Sequence, residues 1–438
     1  MATSQRLDRR YWELACNAGV ASYLDAAILV SAGIALPLWV EHLELNTWWA
    51  GAASTILTLS VAVGSLFGGR LSDVFGKVTV FNLDILFVVI GGVVTACAVN
   101  LPMLIIGLIV MGLASGADLP TSLAVIAERV PDRYQGKVIS VTELFWLAGI
   151  ILSQGIGFLV AGIAMAGVAI MFMVIASIAL ITWLMRVLSP RFKRIEEELY
   201  ELNESDRVAG ASGTLAGAYP LSALLKSPRY LSSLAMLAVF YLMWNIPANT
   251  WGSFQTYFMV EIGGRSQSFA TACGFIANVL ADGVTYTVFV RFADTKHRYR
   301  IMFLGLVCGI SAFCISAFAG GQWMVFTVCY FMFSMTNTLH GEPIYKIWSQ
   351  QLFPANARAT ATGFTYAAVR LLTAAFGLVT PTLMSYSPSL LLWILVASLC
   401  FCILAACCVL RFIRKHNIAD PLIHPELLEC GSKSASLN

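Results

Sequence analysis

The sequence predicts an all-α membrane protein with twelve transmembrane helices in two pseudo-symmetric six-helix bundles. Three observations lead there: an apolar composition, a ladder of long apolar runs, and basic residues gathered on one side of that ladder. Hydrophobic residues make up 58% of the 438-residue chain and charged residues only 12%, against about 25% charge in an ordinary soluble domain. Too little polar surface remains to cover a fold in water. A secreted disulfide scaffold, a nucleic-acid module and an ordinary cytosolic enzyme are therefore excluded.

A bilayer core takes about 20 apolar residues per helix. Twelve runs meet that length, at roughly 15–40, 48–69, 78–99, 101–126, 138–162, 163–187, 230–258, 268–291, 300–319, 322–350, 359–384 and 388–412. Lipid offers no partner for an open sheet edge, so each run is a helix. The polar head MATSQRLDRRYWE precedes a first run too long for a signal-peptide core, and that run is expected to be retained. The chain divides into an N-terminal six-helix bundle (1–188), a cytoplasmic linker (189–228), a C-terminal six-helix bundle (229–412) and a cytoplasmic tail (413–438). Within the linker, IEEELYEL suggests a short surface helix and GASGTLAGAY a flexible stretch.

Of the 27 lysines and arginines, 24 fall in the head, the even-to-odd connections, the linker and the tail, while Arg265 alone lies on the other side. Lys346 and Arg370 lie within spans. This bias sets both termini in the cytoplasm, in a plasma membrane or bacterial inner membrane. Most of the eleven cysteines sit inside apolar runs, without CxxC spacing, and read as small buried hydrophobes. No metal site, cofactor or GxxxxGK[ST] phosphate loop is expected.

The two halves echo each other. GGRLSDVFGK after span 2 is answered by VRFADTKHR after span 8, and AERVPDRYQGK after span 4 by SQQLFPANARAT after span 10. Such a repeat favours a carrier whose bundles rock about a central site. Gly69 and Gly76 suit a tight turn between helices. Asp73 can cap a helix or pair with cations of the opposite half, latching a cytoplasmic gate; Arg133 can equally sit in a solvated turn.

These motifs resemble the major facilitator superfamily across essentially the whole chain. Gly69, Asp73, Gly76 and Lys77 follow the superfamily's motif between spans 2 and 3, and Asp294 and Arg298 keep its charged part in the second half. Glu128, Pro131 and Gly136, with Arg133 between, resemble the motif between spans 4 and 5 of sugar porters; Arg358 holds the matching place after span 10. The resemblance implies a cytoplasmic gate built from these residues. GLASGADLPTSLAVIAE and SYLDAAILVSAG resemble spans 4 and 1 of proton-coupled sugar, metabolite and aromatic-acid symporters, which singles out Asp118 and Asp25.

An ionisable group within a span usually faces a cavity or a partner. Asp25 and Asp118 are the candidate proton carriers; the plain alternative for each is a helix-packing hydrogen bond to Ser or Thr. Glu143 and Trp146 of span 5, and Asn245, Asn249, Trp251, Gln255 and Tyr257 of span 7, are candidate substrate contacts. Pro247 is expected to break span 7, and Trp251 and Tyr257 can alternatively anchor the membrane interface. Glu342 and Lys346 share one face of span 10, four residues apart. Lys346 and Arg370 point to an acidic ligand unless a protein acid neutralises Lys346. Gln154, Trp348, His340, Asp84 and Asp282 are further span residues with chemistry to offer.

The expected function is secondary active transport, with proton-coupled uptake of a small polar metabolite, such as a sugar acid or other organic carboxylate, by alternating access. The alternative is a symporter or uniporter of a neutral sugar or polyol. The expected partners are the substrate, protons and membrane lipid, with no nucleic acid, and the expected state is a monomer without enzymatic activity.

Overall fold

The computed structural model describes residues 9–418 except 76, 130–131, 191–193, 195–197, 199–220, 293–294, 296, 321 and 354. Six long helices come first: α1 (Arg9–His42), α2 (Thr47–Phe75), α3 (Lys77–Ala96), α4 (Leu101–Arg129), α5 (Asp132–Val160) and α6 (Ala164–Leu188). After the short helix Leu221–Lys226 come α7 (Pro228–Tyr257), α8 (Gln267–Val284), α9 (Arg298–Phe318), α10 (Trp323–His340), α11 (Glu342–Leu352), α12 (Ala355–Tyr386) and α13 (Pro388–Lys415). A helix satisfies its own backbone in hydrocarbon, which is why apolar runs of this length take that form.

Ten stretches among the described residues are long and apolar enough to cross a membrane, and one of them, Leu144–Leu188, covers two consecutive helices, α5 and α6. The tenth expected span differs from the others, being divided into α10 and α11. Its cause lies in the sequence Gly341-Glu342-Pro343. Proline supplies no N–H to the preceding turn and biases the residue before it away from helical torsions. The carbonyl of Gly341 accepts from the amides of Ile344 (3.1 Å) and Tyr345 (3.2 Å), so it starts α11 afresh. Pro247, by contrast, lies inside an uninterrupted α7. The expected break in span 7 is absent, and that helix instead relaxes into a π-turn at Phe258–Ile262.

The described residues fall into two compact units, one within Met1–Thr214 and Ser253–Phe275, the other within Leu215–Gly252 and Ile276–Asn438. In the first, α1 packs on α5 and α6, α2 on α4, and α3 on α4 and α6. In the second, α9 packs on α10 and α13, and α12 on α13. Many large apolar side chains remain exposed, among them Leu66, Phe67, Ile181, Leu304 and Val328. Large apolar side chains exposed on helices this apolar suit a lipid-facing exterior. The cysteines only partly match the buried expectation: Cys273, Cys329 and Cys402 are buried, whereas Cys16, Cys97, Cys400 and Cys408 are exposed on apolar helices.

Between lipid-spanning helices, close backbone approach replaces the hydrophobic effect as the packing force. The α2–α4 seam depends on it. A Cβ at Gly116 would stand 2.0 Å from the Val61 carbonyl oxygen, and one at Gly64 2.2 Å from that of Leu113. Neither backbone oxygen can turn aside as a side chain would. Gly116→Val is therefore expected to cost about 3 kcal/mol or more, seen as a lowered thermal midpoint in detergent and a loss of monodisperse protein.

Candidate functional site

Helices α7, α10, α11 and α12 of the second unit bring a polar and aromatic cluster together. α7 contributes Tyr241 and Trp244, three residues apart and so on one face. The Tyr241 ring stacks on Tyr345 of α11, with centroids 4.1 Å apart and planes inclined by 24°. It also lies 5.6 Å from Trp244 and 5.1 Å from Tyr366 of α12. Trp244 Nε1 donates to Asn337 Oδ1 at 2.8 Å. The glycine at the helix break makes this fit possible, because a Cβ at Gly341 would stand 2.2 Å from Trp244 Cε2.

The charges of the cluster begin on the first turn of α11. Lys346 Nζ lies 3.1 Å from Glu342 Oε1, and the two side chains are 48% and 35% exposed. Tyr366 donates its hydroxyl proton to the same Glu342 oxygen, and the Arg370 guanidinium lies within electrostatic reach of that carboxylate. Tyr345 Oη and Thr365 Oγ1 share a further short hydrogen bond. The half-exposed ion pair, with the half-buried Tyr366 beside it, can offer both donors and acceptors to a ligand, while Tyr241 and Tyr345 are buried behind it.

The other anticipated residues are distributed elsewhere. Asp25 of α1 accepts a hydrogen bond from Ser115 Oγ of α4 at 2.9 Å. Asp118 lies 3.8 Å from Arg186 Nη1. Asn245 is buried, whereas Asn249 and Trp146 are half-buried. Trp251 is 2% exposed and packs inside the second unit against Phe326, at 4.8 Å, and Phe313, at 6.3 Å. It is part of an aromatic core and does not join the Glu342 cluster. Gln255 belongs to the first unit, where its Nε2 donates to the Ala270 carbonyl at 3.0 Å. A Cβ at Gly274 would stand 3.0 Å from both Gln154 Nε2 and Gln255 Oε1. Tyr257 is buried in the same unit. Trp348 and His340 are sealed in the second unit's core.

Of the gate residues, Gly76 and Asp294 lie outside the described residues, as do the side chains at Asp73, Lys77, Glu128, Arg133 and Arg358 and the surroundings of Gly69; the Glu143 side chain is outside them too. Most of IEEELYEL likewise lies outside, although Glu198 accepts from Arg10 at 3.1 Å. Arg298 is described: it is buried, with its guanidinium carbon 4.9 Å from the Tyr299 ring centre.

Tyr241, Trp244, Asn337, Tyr345 and Tyr366 were not anticipated as cluster members. The spacing of Tyr241 and Trp244 was the available signal in span 7, but Trp251 looks equally suitable until its packing is known.

Comparison with known proteins supports the same architecture. The sequence profile of the Major Facilitator Superfamily matches residues 16–378. The minor myo-inositol transporter IolF of Bacillus subtilis is 28% identical over 376 residues, covering 84% of this chain and 83% of the relative. The arabinose-proton symporter of Escherichia coli K12 is 29% identical over 139 residues, 32% of this chain and 29% of that protein. The fold is similar to the inward-open xylose transporter XylE from E. coli, with a TM-score of 0.72 at 15% identity over 92% of this chain and 96% of that one. The chain belongs to the Major Facilitator Superfamily and is a multi-pass integral membrane transporter, not an enzyme.

Proposed function

We propose that the chain carries a small neutral polyhydroxylated ring, a cyclic polyol or sugar, together with protons, by alternating access of two six-helix bundles. The observation that carries this reading is the 3.1 Å Glu342–Lys346 pair. A lysine already neutralised by a carboxylate four residues away has little charge left for an acidic ligand, so the sugar-acid reading loses one of its two cations. What remains is a paired donor and acceptor beside the half-buried Tyr366, which suits hydroxyl groups. The similarity to a protein named as a myo-inositol transporter points the same way. The bundles comprise 1–188 and 229–412, joined by 189–228. The basic-residue bias supports termini on the cytoplasmic side.

Reconstitution in liposomes tests the proposal. Labelled myo-inositol, a neutral hexose and a hexuronic acid are offered with and without an inward proton gradient. The expected result is gradient-driven accumulation of a neutral substrate. Accumulation of the hexuronic acid alone overturns the ligand class, and equilibration indifferent to the gradient overturns proton coupling.

A further inference from the structure

Helices α9 and α13 of the second unit pack together, and three contacts fix them as antiparallel. At one end Ser389 Oγ donates to the Ala317 carbonyl at 3.1 Å, and the Phe318 and Trp393 rings, both exposed, meet edge to face at 5.0 Å. In the middle, a Cβ at Gly309 would stand 3.2 Å from Leu399 Cδ1. From that point α9 runs back to Arg300 and α13 runs on to Arg411, along rises of roughly 14 and 18 Å. The two arginines therefore lie at the same end of the pair, within one helical turn of each other in height. Neither helix contains an Asp or a Glu.

The exposed stripe of each helix leads to these cations. On α13, Phe401, Leu404 and Cys408 are exposed, and Arg411 and Lys415 follow at steps of three and four residues, the spacing of one helical face. On α9, Val307 and Leu304 are exposed, and Arg300 precedes Leu304 by four. The Phe318–Trp393 contact shows that the two stripes adjoin. Residues 390–410 carry no charge and rise roughly 30 Å, the thickness of the hydrocarbon core. The cations thus begin where acyl chains give way to head groups. Among the described residues no ion pair involves Arg300, Arg411, Arg414 or Lys415. Two other basic residues at helix ends are already committed: Arg10 lies 3.1 Å from Glu198, and Arg186 is 1% exposed and donates to Asn17 at 3.2 Å and to the Phe81 carbonyl at 2.6 Å.

We propose that this end of the α9–α13 pair is a binding site for one anionic phospholipid of the surrounding leaflet. Its phosphate is shared by Arg300 of one helix and Arg411 and Lys415 of the other, and its acyl chains lie along Leu304, Val307, Phe401 and Leu404. Charge complementarity selects this occupant. A guanidinium fork matches phosphate oxygens in pairs, and the lysine adds a point charge. A zwitterionic lipid brings an ammonium beside its phosphate, and a cluster of cations without a neighbouring acid repels it. Free phosphate lacks the chains that the adjoining apolar stripes receive. The site requires only that the chain spans a membrane, and it stands apart from the substrate cluster and from proton coupling.

Native mass spectrometry of the full-length chain in detergent tests this, with phosphatidylglycerol and phosphatidylcholine of equal chain length added in equal amounts. One phosphatidylglycerol is expected to be retained at least tenfold over phosphatidylcholine, since each cation near a head group contributes roughly fivefold in affinity. The triple variant Arg300→Gln, Arg411→Gln, Lys415→Gln is expected to abolish the preference. These side chains are exposed, so the packed faces stay as they are. Arg300→Lys with Arg411→Lys keeps the charges and should keep most of the preference. Lys226→Gln with Arg229→Gln, at exposed cations ahead of and within the first turn of α7, should leave it unchanged. Equal retention of the two lipids, a preference that survives the triple variant, or one indifferent to Arg300→Gln alone overturns the two-helix site. The tail carries Asp420, Glu426 and Glu429. If phosphatidylglycerol binds only after these three are changed to Asn, Gln and Gln, the tail occupies the cations and the lipid proposal falls.

Discussion

Gly341→Ala is expected to disable transport by at least tenfold and to lower thermal stability, although the change adds a single methyl group. That methyl would stand 2.2 Å from Trp244 Cε2 and 2.4 Å from its Cζ2 and Nε1. The ring cannot retreat freely, since it is stacked on Tyr241 at 5.6 Å and tied by Nε1 to Asn337 at 2.8 Å. Something must move: the ring, the start of α11, or both. Overpacking of this kind costs about 1–3 kcal/mol, with this contact at the upper end. The functional loss is larger because the start of α11 also positions Glu342 and Lys346. A double-mutant cycle separates contact from general damage. In a Trp244→Leu background, Gly341→Ala should cost little further stability, measured by thermal unfolding in detergent. Equal costs in both backgrounds would show that the Trp244 contact is not the cause.

The scale of the fold was readable in the sequence because lipid enforces it. Twelve apolar runs can be counted without knowing how any two helices touch, and the structure changes that count only by dividing the tenth. The division itself was written in Gly341-Glu342-Pro343, but Pro247 gave an equally visible signal and left α7 uninterrupted. Proline removes one backbone bond, and whether a helix then breaks depends on what neighbouring helices supply. The pairing of Glu342 with Lys346 was readable for a simpler reason, since four residues along a helix bring two side chains together. Arg186 was not. At the end of span 6 it looks like one more positive charge on the basic side, and only packing reveals it buried against Phe81 and Asn17. Trp251 failed for the converse reason: amides and aromatics in one segment suggest a ligand wall, yet only tertiary contacts tell the wall from the core.

Glu342→Gln should divide neutral from anionic substrates more sharply than any other single change. The amide keeps the volume and can still accept from Tyr366, so the tyrosine wall stays in place. What disappears is the charge that holds Lys346 at 3.1 Å and offsets Arg370. Hydrogen bonds to charged groups are worth about 1.5–3 kcal/mol. Affinity for a neutral polyol should therefore fall by roughly tenfold to a hundredfold. Both cations then lose that counter-charge, so binding of a hexuronic acid should rise in the same variant. Adding Lys346→Met removes the excess charge again, and the gain for the acid should shrink while polyol binding stays weak. Equilibrium binding of the two labelled ligands to the three proteins checks all of this. If the acid already binds the unaltered chain better than the polyol, and Glu342→Gln weakens both alike, the pair serves to hold α11 together and the neutral-ligand reading fails.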